Sequence, residues 1–479
     1  MTASPNALPA ICGAAILLFS SAVAGQGTAQ TAGTGAFVRV SPRDARYFEL
    51  SDGTPYVPVG LNMVQPPYPH KEFGEMAGWI ERLSASGGNF IRVWLGAQYF
   101  DVEHEASGRY DEAKFKRIFD LLEFCHKRGV RVKMCIEFFR TLEGGKEWSR
   151  KPMHLIENGG PAKDAADFFA SEKSRSQFKS KLVQFWCAFG ADPPIFGWEL
   201  WNEVNCVRGA DWYGWSEVML DKLHRLFPGN LAMQSLGSFD GDWALKDYPR
   251  LVRLPGNDVA QVHRYLDLGA QYEICHGPVD VLAADAVRRI REWQPDRPIL
   301  LAESGAVEPS HSGPFKLYAK DTDGTILHDV LFAPFFAGAA GPGHTWHWDH
   351  YVAKNDLWWQ FGRFARAIEG VDPPAERFEV LAPGHPTLRV YMLKGRRTLL
   401  AWLRDSRTTW RTELAEGKPP ASVTGAAIDL PQGLPALEAA TVRTYDPWTD
   451  RWTPAQVADG KVALPTFKRS LVVRIDFKR

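Results

Sequence analysis

From Phe37 to about Gly370 the chain alternates short β-branched or apolar runs with longer segments of helical period, a pattern that leaves few ways to fold. Parallel strands need a long crossover, usually a helix, so the alternation predicts βα units around a parallel sheet. Eight candidate strands can be counted: residues 57–61, 90–95, 130–137, 195–201, 231–236, 259–262, 299–302 and 344–348. Eight is the number at which such units close, so the expected α/β fold is a (β/α)8 TIM barrel. Between the strands, Phe115, Ile118, Phe119 and Leu122 fall at i, i+3, i+4 and i+7 ahead of Gly129. Leu182, Phe185, Trp186 and Phe189 repeat that pattern ahead of Gly190. Each set predicts a helix with its stripe turned inward.

A last barrel helix is expected to carry Trp358, Trp359, Phe361 and Phe364 and to end near Gly370. Beyond Pro373-Pro374 the runs shorten to 388–393, 398–403, 441–445, 462–464 and 471–477, with turns such as Lys394-Gly395 and Asp459-Gly460 between them. They predict a small C-terminal antiparallel β-sandwich over residues 375–479, after a barrel domain at 37–372. Tyr445, Trp448 and Trp452 read as packing residues of that unit. At the other end no charged residue precedes Arg39, and the small, apolar stretch 10–24 ends in Ala22-Val23-Ala24, as a signal-peptidase site does. Residues 1–24 are therefore expected to be a signal peptide and 25–36, rich in Gly, Thr, Ala and Gln, a linker. The leader predicts a secreted or periplasmic protein. No later segment approaches the ~20 apolar residues of a spanning helix, so no membrane span is expected.

Lys plus Arg and Asp plus Glu number 56 each, which leaves no global field for nucleic acid or anionic lipid and favours a neutral partner. Outside the leader, Cys125, Cys135, Cys187, Cys206 and Cys275 form no CxxC pair and are odd in number, so they read as buried free thiols rather than a disulfide scaffold or zinc ribbon. The 18 Trp suit a cleft that stacks on flat apolar faces. Trp201, Trp212, Trp215, Trp346 and Trp348 lie in or just beyond strand ends, where that is possible.

Active sites of such barrels sit where the strands end, and two carboxylates occupy such ends. The fourth strand runs through GWELWNE to Glu203, and the seventh runs through LLAE to Glu303. In a closed barrel these strands face each other across the mouth, and paired carboxylates in a cleft are what glycosidic cleavage needs. One protonates the departing oxygen while the other attacks or stabilises the anomeric carbon; a gap of ~5 to 5.5 Å permits direct attack and retention, and a wider one admits water and gives inversion. Glu199 shares the strand face of Glu203 but lies below the mouth, where a buried ion pair is the expectation. Glu137 ends strand three and is a candidate substrate contact. His344, His347 and His350 with Asp349 invite a metal reading, but strand residues three apart point to opposite faces, so no metal site is expected.

These motifs resemble the retaining glycoside hydrolases that carry an acid/base on strand four and a nucleophile on strand seven, most of all glycoside hydrolase family 5 with its β-mannanases and cellulases. The resemblance runs from Phe48 to the end of the barrel, about 330 residues. It implies Glu203 as acid/base, Asn202 as partner of the sugar 2-hydroxyl and Glu303 as nucleophile. It further implies Arg92 as support of the nucleophile, His263 and Tyr265 as the His-x-Tyr after strand six, and Trp346 or Trp348 as the platform beneath the reacting sugar. Arg92 and Tyr265 would hold Glu303 ionised, while the apolar surroundings of Trp198 to Trp201 and the Glu303 charge would keep Glu203 protonated. The implied substrate is a β-1,4-linked polysaccharide or oligosaccharide of mannan or glucan type, cleaved by double displacement without cofactor or obligate protein partner. Val204 stands where a Pro often follows the acid/base, and strand three ends in Cys135-Ile136-Glu137-Phe138 where many cellulases carry a His, so the sugar stays open. The alternative is a non-catalytic carbohydrate-binding protein on a silent barrel. A further reading makes the sandwich a targeting module separable at Gly370.

Overall fold

The computed structural model describes residues 35–67, 73–138, 142, 152–207, 209 and 211–478. The expected leader and most of the expected linker lie outside the described residues. The described residues open with an antiparallel sheet that the sequence pattern does not reveal: β1 (Val38–Val40), β2 (Phe48–Leu50) and β3 (Pro55–Tyr56). Its Phe48 and Tyr56 rings rest on Phe196 at 5.3 and 6.2 Å between centroids, so the sheet covers the end at which the next strands start.

Five parallel strands follow in chain order: β4 (Gly60–Asn62), β5 (Phe90–Trp94), β6 (Arg131–Phe138), β7 (Ile195–Asn202) and β8 (Leu231–Met233). β9 (Ala260–Asp267) pairs in parallel with β10 (Ile299–Val307). The Asp258 N–H donates to Ala232 O at 2.9 Å and so links the two sheets. The first strand starts later than expected, because Pro58 has no N–H and the Val59 N–H is taken by Asn89 Oδ1 at 2.8 Å. The eighth expected strand is corrected. Thr345 alone bridges Ser304, and its carbonyl accepts the Asn62 N–H at 3.0 Å. Beyond it the Trp348 N–H bonds locally to Trp346 O at 2.9 Å and Trp348–Ala353 coils into a π-helical turn, so no ladder continues.

The connecting helices are α1 (Phe73–Ala85), α2 (Glu112–His126), α3 (Ala165–Ala170), α4 (Glu172–Phe189) and α5 (Trp212–Leu226). They continue as α6 (Trp243–Arg253), α7 (Val279–Trp293), α8 (Thr325–Phe336), α9 (Trp359–Ala367) and the short α10 (Pro373–Glu376). Two expected stripes are rotated. α2 buries Ile118, Leu121, Leu122 and Cys125 and leaves Phe119 53% exposed, while α4 buries Phe178, Leu182 and Phe185 and leaves Trp186 43% exposed. A 3.6-residue period cannot say which of two adjacent apolar residues faces in; the neighbouring strands decide.

The C-terminal region is antiparallel, with strands β11 (Glu379–Leu381), β12 (Leu388–Lys394), β13 (Thr398–Asp405), β14 (Ser422–Val423), β15 (Ala427–Asp429) and β16 (Thr441–Asp446). β17 (Arg451–Pro454), β18 (Val457–Ala458), β19 (Lys461–Ala463), β20 (Phe467–Lys468) and β21 (Ser470–Asp476) complete it. Six strands form one sheet in the order β11-β12-β13-β21-β16-β17, and the rest form two small sheets, β14-β20 and β15-β19-β18. Alternation splits the large sheet cleanly. Leu399, Ala401 and Leu403 join the core made with the small sheets, whereas Leu400 and Trp402 turn the other way into the main core. There α8, with every residue buried, lies beneath them: Phe332 meets Trp402 at 5.7 Å and His328 meets Trp448 at 4.4 Å between centroids. Ion pairs tie the same face, Arg404 to Asp329 at 2.8 Å and Arg389 to Asp280 at 2.6 Å. The five cysteines named above are free; Cys187 and Cys206 are exposed, which corrects their expected burial. Among the described residues no helix is long and apolar enough to cross a membrane.

Candidate active site

Arg92, at the centre of β5 and fully buried, is the hub on which the strand ends converge. Its Nε and Nη2 donate to the two oxygens of Glu199 at 2.8 and 2.9 Å, and Nη2 also reaches Asn202 Oδ1 at 2.6 Å. Nη1 donates to Glu303 Oε2 at 2.7 Å and to Asn62 Oδ1 at 3.1 Å. Lys133 of β6 lies 3.3 Å from Glu199, so two cations face two carboxylates where little solvent reaches. Burial works to raise the Glu199 carboxyl, but Arg92 and Lys133 outweigh it and lower it to about 2. Burial pulls Lys133 down to about 8 against the attraction of Glu199. The expected buried ion pair of Glu199 is therefore present.

Glu303 is 5% exposed and receives a second donor, the Tyr265 hydroxyl at 2.6 Å from Oε1. Burial first, and the Glu303 charge second, push the Tyr265 phenol well above its ordinary value, so it stays a donor. A register shift between Leu301 and Glu303 brings Glu303 opposite His263 of β9. Glu203 follows β7 in the left-handed region, φ 53°, with its N–H on Ser235 Oγ at 3.2 Å. Strain of this kind in a non-glycine residue concentrates at functional sites. Its Oε1 lies 3.0 Å from His263 Nδ1, which in turn is 3.6 Å from Glu303 Oε2. Ligand atoms of Glu203, His263 and Glu303 all lie within 4.8 Å of one another. Burial lowers His263 to about 4, so the imidazole between the carboxylates is neutral near pH 7. These atoms would suit a cation in number, but one bound there would face the Arg92 guanidinium, 2.7 Å from Glu303, across a low-dielectric gap.

The structure thus brings together Arg92, Asn202, Glu203, His263, Tyr265 and Glu303. Trp346 is half-buried, with its ring 4.9 Å from Trp94 and its N–H on Ser304 O at 2.8 Å. Trp348 is 4% exposed behind it, so Trp346 is the accessible ring of the two. Trp201 and Trp215 are fully buried among Phe168 and Phe169 of the helical layer, and Trp212 is nearly so; none is free to stack on a sugar. Trp198 packs outward on Phe185 and Phe227, so the apolar surroundings expected for Glu203 lie elsewhere and its close neighbour is His263. Glu137 is 2% exposed and held by Lys181 and by His154 at 3.2 Å; burial opposes its charge, yet Lys181 prevails and lowers it to about 2. It is a cross-tie rather than a rim contact. His344 turns inward to Pro58 O at 3.0 Å while His350 is exposed, so these histidines diverge. Lys133, Asn62 and Ser235 escape the sequence reading; a Lys inside RVKMCI was the one visible signal.

No family model matches the chain. It is 27% identical over 217 residues to mannan endo-1,4-beta-mannosidase 3 of Oryza sativa subsp. japonica, covering 39% of this chain and 45% of the relative. It is 24% identical over 396 residues to mannan endo-1,4-beta-mannosidase 1 of the same plant, covering 73% and 82%. The chain spans about half the length of the first of these relatives. A glycoside hydrolase family 5 structure from Bacteroides vulgatus superposes with a TM-score of 0.57 at 13% identity, covering 94% of this chain and 95% of that one, which is a likeness of fold.

Proposed function

We propose, from the premise that the chain is a glycoside hydrolase of family 5, that it cleaves β-mannosidic bonds of a β-1,4-mannan or its oligosaccharides by a retaining double displacement. In this reading β4 to β10 and Thr345 close as a (β/α)8 barrel, supported by the bonds from Asp258 to Ala232 and from Asn62 to Thr345. The C-terminal sheets pack as a sandwich against its α8 side. The observation that carries the mechanism is the approach of Glu203 and Glu303 to within 4.8 Å. Retaining enzymes hold their carboxyl groups ~5 to 5.5 Å apart, and inverting ones leave ~6.5 to 9.5 Å for a water.

Arg92 and Tyr265 direct their donors at Glu303, which suits it to the nucleophile's part and leaves that of proton donor to Glu203. Glu303 attacks the anomeric carbon as Glu203 gives its proton to the leaving oxygen. Esterification then removes the Glu303 charge, Glu203 as carboxylate takes a proton from water, and the hydroxide formed releases the sugar with retained configuration. Neutral His263 joins the two carboxyl groups without adding a competing charge. Asn202, fixed by Arg92, is positioned to hold the 2-hydroxyl, and Trp346 supplies the face on which the ring rests.

The test is hydrolysis of β-mannan, β-glucan, xylan and aryl β-glycosides by the full chain, with Glu303→Ala as control, following product length and anomer. Mannan or mannoside cleavage with retained configuration, lost in Glu303→Ala and partly restored by azide, is the expected result. Inverted product would refute the mechanism, and saturable binding without cleavage would make the protein a carbohydrate binder.

A further inference from the structure

Beside the carboxylate pair a second polar cluster ties three successive strand ends together. Ser238 and Asp240 follow β8, Asp267 ends β9 and His311 follows β10. Ligand atoms of Asp240, Asp267 and His311 lie within 4.8 Å of one another. The His311 ring is engaged at both nitrogens, Nδ1 at 2.9 Å from Asp267 Oδ2 and Nε2 at 3.0 Å from Ser238 Oγ. Asp267 Oδ1 is occupied in turn by the N–H groups of Gly269 and Ser310 at 2.7 and 2.9 Å. With these atoms committed to one another, the cluster is built to hold an imidazole and not to receive a cation.

What the imidazole faces is the phenol of the nucleophile's own support. The rings of His311 and Tyr265 meet nearly at right angles, centroids 5.1 Å apart at 80°, and Tyr265 donates to Glu303 Oε1 at 2.6 Å. Reaching that position takes two consecutive non-glycine residues in the left-handed region, Ser310 at φ 59° and His311 at φ 56°. Side chains rarely accept such a backbone without compensation, and here the compensation is the set of bonds to Asp267 and Ser238.

We propose that His311 is a positioning residue for the nucleophile, acting through Tyr265: Asp267 and Ser238 fix the imidazole, and the imidazole ring packed against the phenol keeps it aimed at Glu303. The inference rests on the reading of Glu303 as nucleophile. When Glu303 becomes an ester its oxygen loses charge and the Tyr265 bond weakens, so the phenol needs a lateral stop to be in place when the carboxylate re-forms. His311 therefore acts on the barrier and leaves ground-state sugar binding alone.

The test uses the full chain with β-manno-oligosaccharide as substrate and four variants: His311→Ala, His311→Phe, Tyr265→Phe, and His311→Ala combined with Tyr265→Phe. His311→Ala is expected to lower kcat by about 10- to 100-fold with KM within about twofold, the scale of a misplaced catalytic group. His311→Phe, which keeps an aromatic ring there, should recover part of that loss. In the Tyr265→Phe background His311→Ala should cost less than about twofold more, because the bond it protects is already gone. Equal losses in both backgrounds, an unchanged kcat, or a raised KM with normal kcat would each overturn the proposal while leaving the hydrolase reading intact. A wild-type chain inert on every mannan and mannoside would overturn both.

Discussion

Cutting the chain after Gly370 is expected to unfold what remains, not to release a working barrel from a separable module. The large C-terminal sheet covers α8 and its neighbours. Phe332 and Phe336 rest on Trp402 at 5.7 and 6.4 Å, Phe315 on Trp410 at 5.6 Å and Trp359 on Trp448 at 6.4 Å between centroids. Returning four such rings to water costs about 1.5 to 3 kcal/mol each, together about 6 to 12 kcal/mol. Asp280 and Asp329 would lose Arg389 and Arg404 but regain water, so their ion pairs are left out of that count. A whole domain is stable by only about 5 to 15 kcal/mol, so the loss consumes most or all of it. The assay compares residues 35–370 with the full chain by thermal circular dichroism and size-exclusion chromatography. Trp402→Ala is the milder companion, expected to cost about 3 to 5 kcal/mol. A truncated chain that is monomeric, melts cooperatively within about 5 °C of the full chain and hydrolyses soluble substrate as well would refute the reasoning.

Three further outcomes follow from the site. Tyr265→Phe removes a bond to a charged acceptor worth about 1.5 to 3 kcal/mol, so kcat/KM should fall about 10- to 150-fold with little change in melting temperature; a loss under twofold would mean that Arg92 alone suffices. Trp346→Ala should raise KM about tenfold, some 1.4 kcal/mol, and an unchanged KM would remove the ring from the substrate's path. In acid, Glu137 and Glu199, both lowered to about 2, bind fewer protons folded than unfolded, so the stability they contribute is present above pH 4.5 and lost as pH falls toward 2. His263, lowered to about 4, acts in the same direction between pH 6.5 and 4. Each shift is on the order of 3 kcal/mol; burial raises Asp329 to about 7 and opposes them down to pH 3.8, so the drop in melting temperature should be steepest between pH 3.8 and 2, and a melting temperature unchanged across that range would contradict these environments.

By itself the sequence determined the alternation of strand and helix, the antiparallel tail, and the two glutamates at strand ends, because each is a local pattern of period, turn residue or neighbour. Glu203 and Glu303 stand a hundred residues apart yet could be paired from strand order alone. What it could not determine depends on contacts between segments remote in the chain. Phe119 and Trp186 face solvent because neighbouring strands, not the helical period, select the buried stripe. The aromatic run around Trp346 leaves the ladder after one bridge, since the Trp348 N–H turns back to Trp346 O. Glu203 rests against a neutral His263 rather than tryptophan, and Lys133, marked only by its place in an apolar run, and His311, silent in the linear text, join the site only once strands remote in the chain lie side by side. Periodicity is written along one segment and survives in one dimension; the electrostatics of the pair belongs to the three-dimensional neighbourhood, where burial amplifies every charge that folding brings near.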